Sequence, residues 1–482
     1  MSDEGSLSPR DRRRLTRVSS DRTIIYTLAG TGLIAAFMQT LVTPILPELP
    51  VLLSSRAADT SWVLTATLLA ASVSIPISGR LGDMYGKRRV VLTLLVIMTL
   101  GSIICALSNT VVPMIIGRSL QGIGLGVISL GISVLRDVIH PKNLGGAVAL
   151  VSATLGIGGA VGLPVAAVIA QNFSWHYLFW LATGLSVLAF LLVFAIVPVS
   201  TLRSEGSFDV VGAIGLGIAL VGILLAISKG NEWGWGSATT LGLLIGGVVV
   251  LVGWALFELH HPDPLIDLRV ASRRPVLLTN LTSISVGFAF FTVSGSLPIL
   301  LEAPSTTGVA FGLPLLIASL CLMPLGLVMF VTSPVAARLS NARGPRTSLI
   351  LGGAIIAVTF VAATQLTGEI WHAILISTFV GLGVGFAYAA MPTLIMGAVP
   401  PTETAAANGL NSVMRTLGST ISATIVGVIM STHVDGGIPT TAAFQQVFLL
   451  GSAAAAAGAI IALFIPRRDT TYTGTASIRL PG

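Results

Sequence analysis

Apolar runs of roughly 20 residues, separated by short polar segments, follow one another along almost the whole chain. An α-helix of that length spans the hydrocarbon core of a bilayer. Charges, Pro/Gly clusters and polar turns mark where each run ends. The pattern therefore predicts an all-α polytopic membrane protein with fourteen spans. We expect them at 23–46, 60–80, 89–108, 111–134, 145–170, 173–197, 209–229, 237–258, 276–301, 309–336, 347–367, 371–396, 404–431 and 443–465.

The spans divide into six, two and six. Residues 1–22 hold charges and no apolar segment, so we expect a polar tail and not a cleavable signal peptide. Residues 23–197 should form an N-terminal six-helix bundle and residues 276–465 a C-terminal one. The predicted linker, 198–275, contains two extra transmembrane helices, and 466–482 is a second polar tail.

Composition excludes an ordinary soluble protein. The chain is 54% hydrophobic and only 9% charged, whereas soluble domains are about 25% charged. A soluble protein with a very large core is the disfavoured alternative. Cys105 and Cys321 both lie in apolar runs and are expected to be small packing residues rather than a disulfide.

The basic residues predict the topology. Of the 26 lysines and arginines, all except Arg56, Arg118, Lys229 and Arg415 fall in the tails or in the loops on the tail side of the spans. The positive-inside rule then places both termini in the cytoplasm of a cell that carries the protein in its plasma membrane. The net charge of +7 is explained by topology, so no nucleic-acid partner is implied.

The segment "GRLGDMYGKRRV" after the second span concentrates charge between two apolar runs. Gly79 and Gly86 permit tight turns and close helix approach. Asp83 can pair with an arginine or face a helix N-terminus. The basic residues hold the segment at the membrane surface, where they meet anionic lipid. These are Arg80, Lys87, Arg88 and Arg89.

We expect this segment to be a conformational latch, with charge pairs that break in each cycle. Asp137, after the fourth span, is the expected partner of Arg80 or Lys87; the alternative is a solvated loop acid. A purely topological charge cluster is the alternative for the whole segment. A weak copy, "ARLSNARGPR", follows the second span of the other half, with Asn341 in place of the aspartate. Two similar halves are typical of transporters whose site lies at their interface.

The latch segment resembles the loop signature of the major facilitator superfamily, G-x-L-x-D-x-x-G-[RK]-[RK]. "GRSLQGIGLGV", "PLIDLRVASRRP" and "NGLNSVMRTLGSTIS" are similar to motifs of its fourteen-span drug:proton antiporter branch. The resemblance implies a secondary active transporter, expected to be monomeric, that exports amphipathic or hydrophobic small molecules in exchange for protons. It implies no cofactor and no enzyme activity.

Two departures from that branch bear on mechanism. "GAVGLPVAAV" keeps Gly159 and Pro164 of the fifth-span antiporter motif but loses its other glycines, while Gly158 and Gly162 retain a small-residue packing face. In the first span, Met38 stands where the branch usually has an aspartate. The sequence thus leaves open whether transport is proton-coupled and which carboxylate carries the proton.

Two arginines are expected inside the membrane, where charge is costly unless it faces protein or water. Arg118, next to Gln121, either donates to backbone carbonyls of a neighbouring helix or sets the field at a carboxylate or an anionic substrate group. The same two interpretations apply to Arg415.

Three acids are expected near the outer ends of spans. Asp59 is expected as a helix N-cap and Glu48 as part of a rigid turn between prolines. Glu302 has neither role, and we expect it to be the proton-carrying carboxylate. The other acids in outer and cytoplasmic loops, including Glu232, Glu258, Asp263 and Asp267, are expected to be solvated.

The histidines show no metal-ligand spacing, and neither a phosphate-binding loop nor a nucleophile elbow is present. An apolar cavity suits lipophilic compounds better than sugars. Within transport, the alternatives are an exporter dedicated to one endogenous metabolite or lipid and an uncoupled facilitator. A different class is a non-transporting receptor or assembly protein.

Overall fold

A computed structural model describes residues 20–466, apart from residues 47, 201, 306–308 and 436. Most of the N-terminal tail, and the C-terminal tail from residue 467, lie outside the described residues. The expectations for these tails are therefore not addressed by the structure.

Within the part of the chain that the structure describes, fourteen long apolar helices confirm the predicted all-α architecture and the number of spans. The fourth is interrupted after Gly124 and resumes at Val127. The helices are α1 Asp21–Thr40, α2 Trp62–Tyr85, α3 Lys87–Leu107, α4 Val111–Val138, α5 Pro141–Asn172, α6 His176–Ile196, α7 Val210–Trp233, α8 Ala238–His260, α9 Arg274–Glu302, α10 Leu315–Arg343, α11 Pro345–Ala363, α12 Ile370–Met396, α13 Thr404–Thr432 and α14 Thr441–Leu463.

Short elements lie between the helices. Four-residue helices cover Leu49–Leu52, Ala57–Thr60 and Leu268–Ala271, and 3-10 turns cover Thr43–Ile45 and Pro401–Glu403. Between α13 and α14, β1 Val434–Asp435 and β2 Ile438–Pro439 form a two-stranded antiparallel pair. We call the end of the bundle where α1 begins and α14 ends the terminal end, and the other the opposite end.

The predicted loop at 80–89 is a single residue. α2 continues to Tyr85 and α3 starts at Lys87, so only Gly86 joins them, with φ +103°. The weak copy repeats this design, because Gly344, with φ +85°, alone joins α10 to α11. Positive φ is a conformation that glycine adopts without steric strain, which explains both glycines.

The tenth span begins later than expected. α10 starts at Leu315 and not at 309, because Gly312 has φ +62° and Pro314 precedes the first turn. Glycine at positive φ and proline at a helix start are common helix boundaries.

Hydrophobic packing follows the six, two and six division. One buried cluster joins residues of α1–α6 and reaches Met396 of α12 and Ala405 of α13, and a second joins residues of α9–α14. We call these sets of helices the N-terminal half and the C-terminal half. A third cluster links α7 and α8 with side chains of α2 and α13, including Val73 and Val413. The extra pair therefore lies against one helix of each half.

The halves meet along two seams of closely packed helices. α5 crosses α10 where Gly156 faces Gly326, and a Cβ at Gly326 would collide with the Gly156 carbonyl. α2 crosses α13 where a Cβ at Gly79 would lie 2.6 Å from the Ala405 carbonyl oxygen. Glycine is required at these crossings because the backbones approach directly.

The small-residue face of α5 packs within its own half. A Cβ at Gly158 would lie 2.5 Å from Ala36 Cβ of α1, and one at Gly162 would meet the Thr40 hydroxyl. Gly159 has more room, and Pro164 lies inside the helix.

Candidate functional site

Asp83 of the N-terminal half lies at the start of α13 in the C-terminal half. Its Oδ2 accepts hydrogen bonds from the backbone N–H of Ala405 at 3.1 Å and of Ala406 at 3.0 Å. Only 1% of the residue is exposed. The first N–H groups of a helix lack intrahelical partners and carry partial positive charge, so a carboxylate there is stabilising. Of the two roles expected for Asp83, the structure gives the helix N-terminus.

Lys87 holds the two acids of the latch and the second half together. Its Nζ lies 2.8 Å from Asp137 Oδ1, 3.0 Å from the Thr404 hydroxyl and 3.6 Å from Asp83 Oδ1. The Lys87 and Asp137 side chains are 1% and 0% exposed. The structure thus brings together the predicted Lys87 and Asp137, and Asp137 is not a solvated loop acid.

Arg80 does not pair with Asp137. Its Nη1 donates to the Ser204 hydroxyl at 3.0 Å, and the Ser204 N–H donates to the Asp83 carbonyl at 2.7 Å. Ser200 donates to Asp137 at 2.8 Å. The segment between α6 and α7 therefore covers the latch, and its Ser204 is the hydrogen-bond partner of Arg80.

Arg88 also differs from the prediction. Its Nη2 donates to the Phe194 carbonyl at 2.5 Å, and its guanidinium lies 5.6 Å from the centre of that ring. Arg88 and Phe194 both belong to the N-terminal half, so these two contacts lie within that half. We call Asp83, Lys87, Asp137 and Thr404 the latch from here on.

Several latch partners were missed from the sequence. Thr404 and the N–H groups of Ala405 and Ala406 could have been found, since "PPTET" before an apolar run marks a helix start. Ser200 and Ser204 carry no such signal, because their role depends on the path of the segment across the latch.

Arg118 takes the backbone-donor role rather than pairing with a carboxylate. It is 1% exposed, and its Nη1 donates to Gln121 Oε1 at 2.8 Å and to the Met38 carbonyl at 3.4 Å. Gln121 in turn donates to Ser102 at 2.8 Å. Among the described residues, the Nε and Nη2 atoms of Arg118 have no hydrogen-bond partner. The Arg118 guanidinium thus contacts the backbone of Met38, the first-span position at which the drug:proton antiporter branch usually has an aspartate.

Arg415 lies beside a narrow cavity between the halves. The cavity is lined by α4 and α5 on one side and by α12 and α13 on the other. The Arg415 guanidinium lies 4.8 Å from the centre of the Tyr388 ring, and its Nη2 donates to Ser412 at 3.4 Å. Nearby, Asn411 donates to Asn280 at 2.9 Å and to Ser283 at 2.7 Å. No lining residue is acidic.

The three acids of the opposite end are separate from this cavity. Asp59 is not the N-cap of α2; it lies in a four-residue helix and pairs with Arg56 at 2.9 Å. Glu48 is exposed at the start of the Leu49–Leu52 helix. Glu302 is exposed at the last residue of α9. None of the three faces the contact between the halves that the cavity occupies.

One acid expected to be solvated is not. Glu258 is 2% exposed, near Asp209, because the end of α8 folds under the segment at 261–266. Glu232 is exposed, and it pairs at 2.7 Å with Lys229, which is 2% exposed and also donates to Ser61. Glu258 and Lys229 are near helix ends, where apolar periodicity does not indicate which side chains are covered.

Asp263, which was also expected to be solvated, is half-buried, and it joins two segments of the terminal end. The N–H and the hydroxyl of Ser207 each donate to its Oδ2 at 2.9 Å. These hydrogen bonds stabilise the charged form and hold the pKa of Asp263 below its usual value. The described residues contain no group of three or more His, Cys, Asp or Glu that could hold a metal ion.

Comparison with known proteins identifies the family. Residues 28–423, and in a second match 303–479, fit the Major Facilitator Superfamily. The chain belongs to the Major Facilitator Superfamily. The predicted family is therefore confirmed, and with it a multi-pass membrane protein of a family of transporters rather than enzymes.

Relatives of this superfamily include antibiotic resistance proteins. The chain is 25% identical to the lincomycin resistance protein LmrB of Listeria monocytogenes, over 92% of this chain and 96% of the relative. It is 28% identical to the tetracenomycin C resistance and export protein of Streptomyces glaucescens, over 84% and 75%. To an uncharacterized MFS-type transporter of Mycobacterium tuberculosis it is 26% identical, and it spans only 60% of that relative's length.

A solved structure supports the fold. The human organic anion transporter MFSD10 (TETRAN) superposes with a TM-score of 0.66 at 14% identity, covering 92% of this chain and 99% of that one. At this identity the likeness concerns the superfamily fold alone.

Proposed function

We propose that the protein is a secondary active exporter of amphipathic or hydrophobic small molecules that works by alternating access with proton antiport. The observation that carries this proposal is that Asp83 of the N-terminal half accepts hydrogen bonds from the first turn of α13 in the C-terminal half. The contact joins the halves at one end only, and it can break without unfolding either half. The antibiotic resistance and export named for two relatives supports the direction and the substrate class.

The proposal includes the topology and the division of the chain. The latch lies at the terminal end, which we place in the cytoplasm of a plasma-membrane protein that acts as a monomer. Its functional units are the bundles 23–197 and 276–465, with the linker 198–275 between them. Support comes from the arginines and lysines that surround the latch at that end.

Glu302 stays our first candidate for the proton carrier, followed by Asp59 and Glu48. Its exposure at the end of α9 gives access to protons from the opposite side. The chain also has Met38 where an intramembrane acid would otherwise be available, which directs the search to such acids at helix ends.

The test is transport by the purified full chain in liposomes with an imposed pH gradient. Lincomycin, tetracenomycin C and a set of amphipathic dyes serve as test compounds. We expect accumulation against the compound's own gradient, and its loss when an ionophore collapses the pH gradient. Downhill movement alone indicates the facilitator alternative. No compound-dependent movement or proton flux indicates a receptor or assembly protein.

A further inference from the structure

The narrow cavity between the halves carries an unpaired positive charge. Arg415 reaches it from α13, and the described residues place no carboxylate within ion-pair distance of its guanidinium. Among the described residues, the one hydrogen bond of the Arg415 side chain is the long one to Ser412, and the Tyr388 ring beneath the guanidinium leaves its N–H edge available. A guanidinium in a site of low polarity is stabilised by a counter-anion with two acceptor oxygens.

A second observation points to a ligand in the same cavity. Ser152 is 2% exposed, lines the cavity from α5, and its hydroxyl has no partner among the described residues. Asn408 is 3% exposed, lines the cavity from α13, and its Oδ1 likewise lacks a donor. Buried polar atoms are normally satisfied, so these two are available to a molecule that enters between the halves.

Apolar and polar side chains share the rest of the wall. Ile128, Ile132, Leu155 and Pro392 supply its apolar surface, and Ser129, Asn411 and Ser412 also line it. A site that combines apolar surface with convergent polar groups fits a compound with a hydrophobic body and one polar group. In this state the cavity measures about 10 Å³, the room of one water molecule, so occupation requires the halves to part.

We propose that this cavity binds the acidic group of amphipathic anions, with Arg415 as the counter-ion and Ser152 as a second donor. The inference rests on the proposed export function and specifies its substrate class. Amphipathic cations are disfavoured, since no acid lines the cavity.

Two dyes with one skeleton test this proposal. Anilinonaphthalene sulfonate is an amphipathic anion, and phenylnaphthylamine is the same ring system without the sulfonate. We expect the full chain in lipid nanodiscs to bind the sulfonate above the level of empty nanodiscs. Arg415→Gln should weaken binding of the sulfonate by about tenfold or more and binding of phenylnaphthylamine by less than about twofold. Arg415→Lys should retain part of the preference for the sulfonate over phenylnaphthylamine.

Further variants separate the outcomes. Arg343→Gln removes an exposed arginine of the terminal end and is the matched control, expected to bind both dyes like the unmodified chain. Ser152→Ala should weaken the sulfonate by about threefold, which keeps the proposal testable if Arg415→Gln does not fold. Equal loss of both dyes in Arg415→Gln, or unchanged sulfonate binding, overturns the proposal.

Export of the same dyes from liposomes is measured in parallel. If neither dye is exported while binding of the sulfonate still depends on Arg415, the result contradicts the proposed exporter and not this site. Export of both dyes without dependence on Arg415 contradicts this site and not the exporter.

Discussion

The Lys87 ammonium lies 2.8 Å from the Asp137 carboxylate, and neither side chain reaches solvent. Both belong to the N-terminal half, yet Lys87 also touches Thr404 of the C-terminal half. The pair therefore has two functions in one contact. It neutralises a buried charge within one half, and it offers a hydrogen bond to the other half.

Removing one member of this pair should be far worse than removing both. Lys87→Met leaves Asp137 buried without its cation and should cost about 3–5 kcal/mol of stability, while Lys87→Met with Asp137→Leu should recover most of it. Thermal unfolding in nanodiscs measures both. Lys142→Met, at an exposed lysine of the same end, is the control. If the double variant is no more stable than Lys87→Met, the pair is not the main contact of Lys87.

Asp83→Asn tests the latch. The amide keeps one acceptor for the N–H groups of Ala405 and Ala406 but loses the charge at the helix N-terminus. We expect normal expression and folding with transport slowed by about tenfold or more, because the conformation closed at the terminal end loses about 1–2 kcal/mol of stabilisation. Asp435→Asn, an exposed aspartate in β1, is the control. Full activity of Asp83→Asn would leave the segment with a topological role only.

The termini are predicted to lie in the cytoplasm. Single cysteines at Ser2 and Asn231, in a chain with Cys105 and Cys321 replaced by alanine, should differ in reaction with an impermeant maleimide. Only the cysteine at 231, which is exposed at the opposite end, should be labelled in intact cells. Permeabilised cells should label both. Labelling at position 2 in intact cells contradicts the predicted orientation.

Glu302→Gln tests proton coupling. A carboxamide cannot carry a proton, so uphill transport should be abolished while downhill exchange of substrate stays within about twofold. Imposed pH gradients in liposomes measure the first, and counterflow measures the second. If substrate still accumulates, Asp59→Asn and Glu48→Gln are next. Full uphill transport in all three variants rules out an outer carboxylate as the carrier.

Gly326→Ala tests the seam between α5 and α10. The new methyl collides with the Gly156 carbonyl, so the two helices must separate and stability should fall by about 1–3 kcal/mol. Gly242→Ala in α8 places its methyl where nothing lies within 4 Å and should have no such effect. Equal thermal unfolding of the two variants would show that the seam tolerates separation.

The number of spans was predictable because it depends on apolar length, and the latch segment because glycines and charges recur at fixed spacing. Asp137 was predicted to pair with Arg80 or Lys87 because all three lie on the tail side of the spans, and the structure gives Lys87 as its partner. What the sequence could not show is which groups a loop covers. Arg80 donates to Ser204, and Glu258 is buried. Both outcomes depend on the path of a loop that the local sequence pattern does not indicate.

The prediction of Asp59 as a helix N-cap was wrong for a different reason. A helix start was correctly expected, but the acid next to Arg56 found a nearby cation instead of the N–H groups of α2. The cavity was missed because Ser152, Tyr388 and Arg415 come from three helices whose register is set by glycine crossings rather than by local pattern.

The contact of Gly156 with Gly326 lies near the middle of both α5 and α10. Because the backbones approach directly there, with Met329 of α10 packed beside Gly156, the two halves cannot come closer at that depth. In the proposed alternating access this contact is the pivot. Rotation of rigid halves about it would widen one membrane surface only by narrowing the other, which would resist a continuous leak between the two compartments.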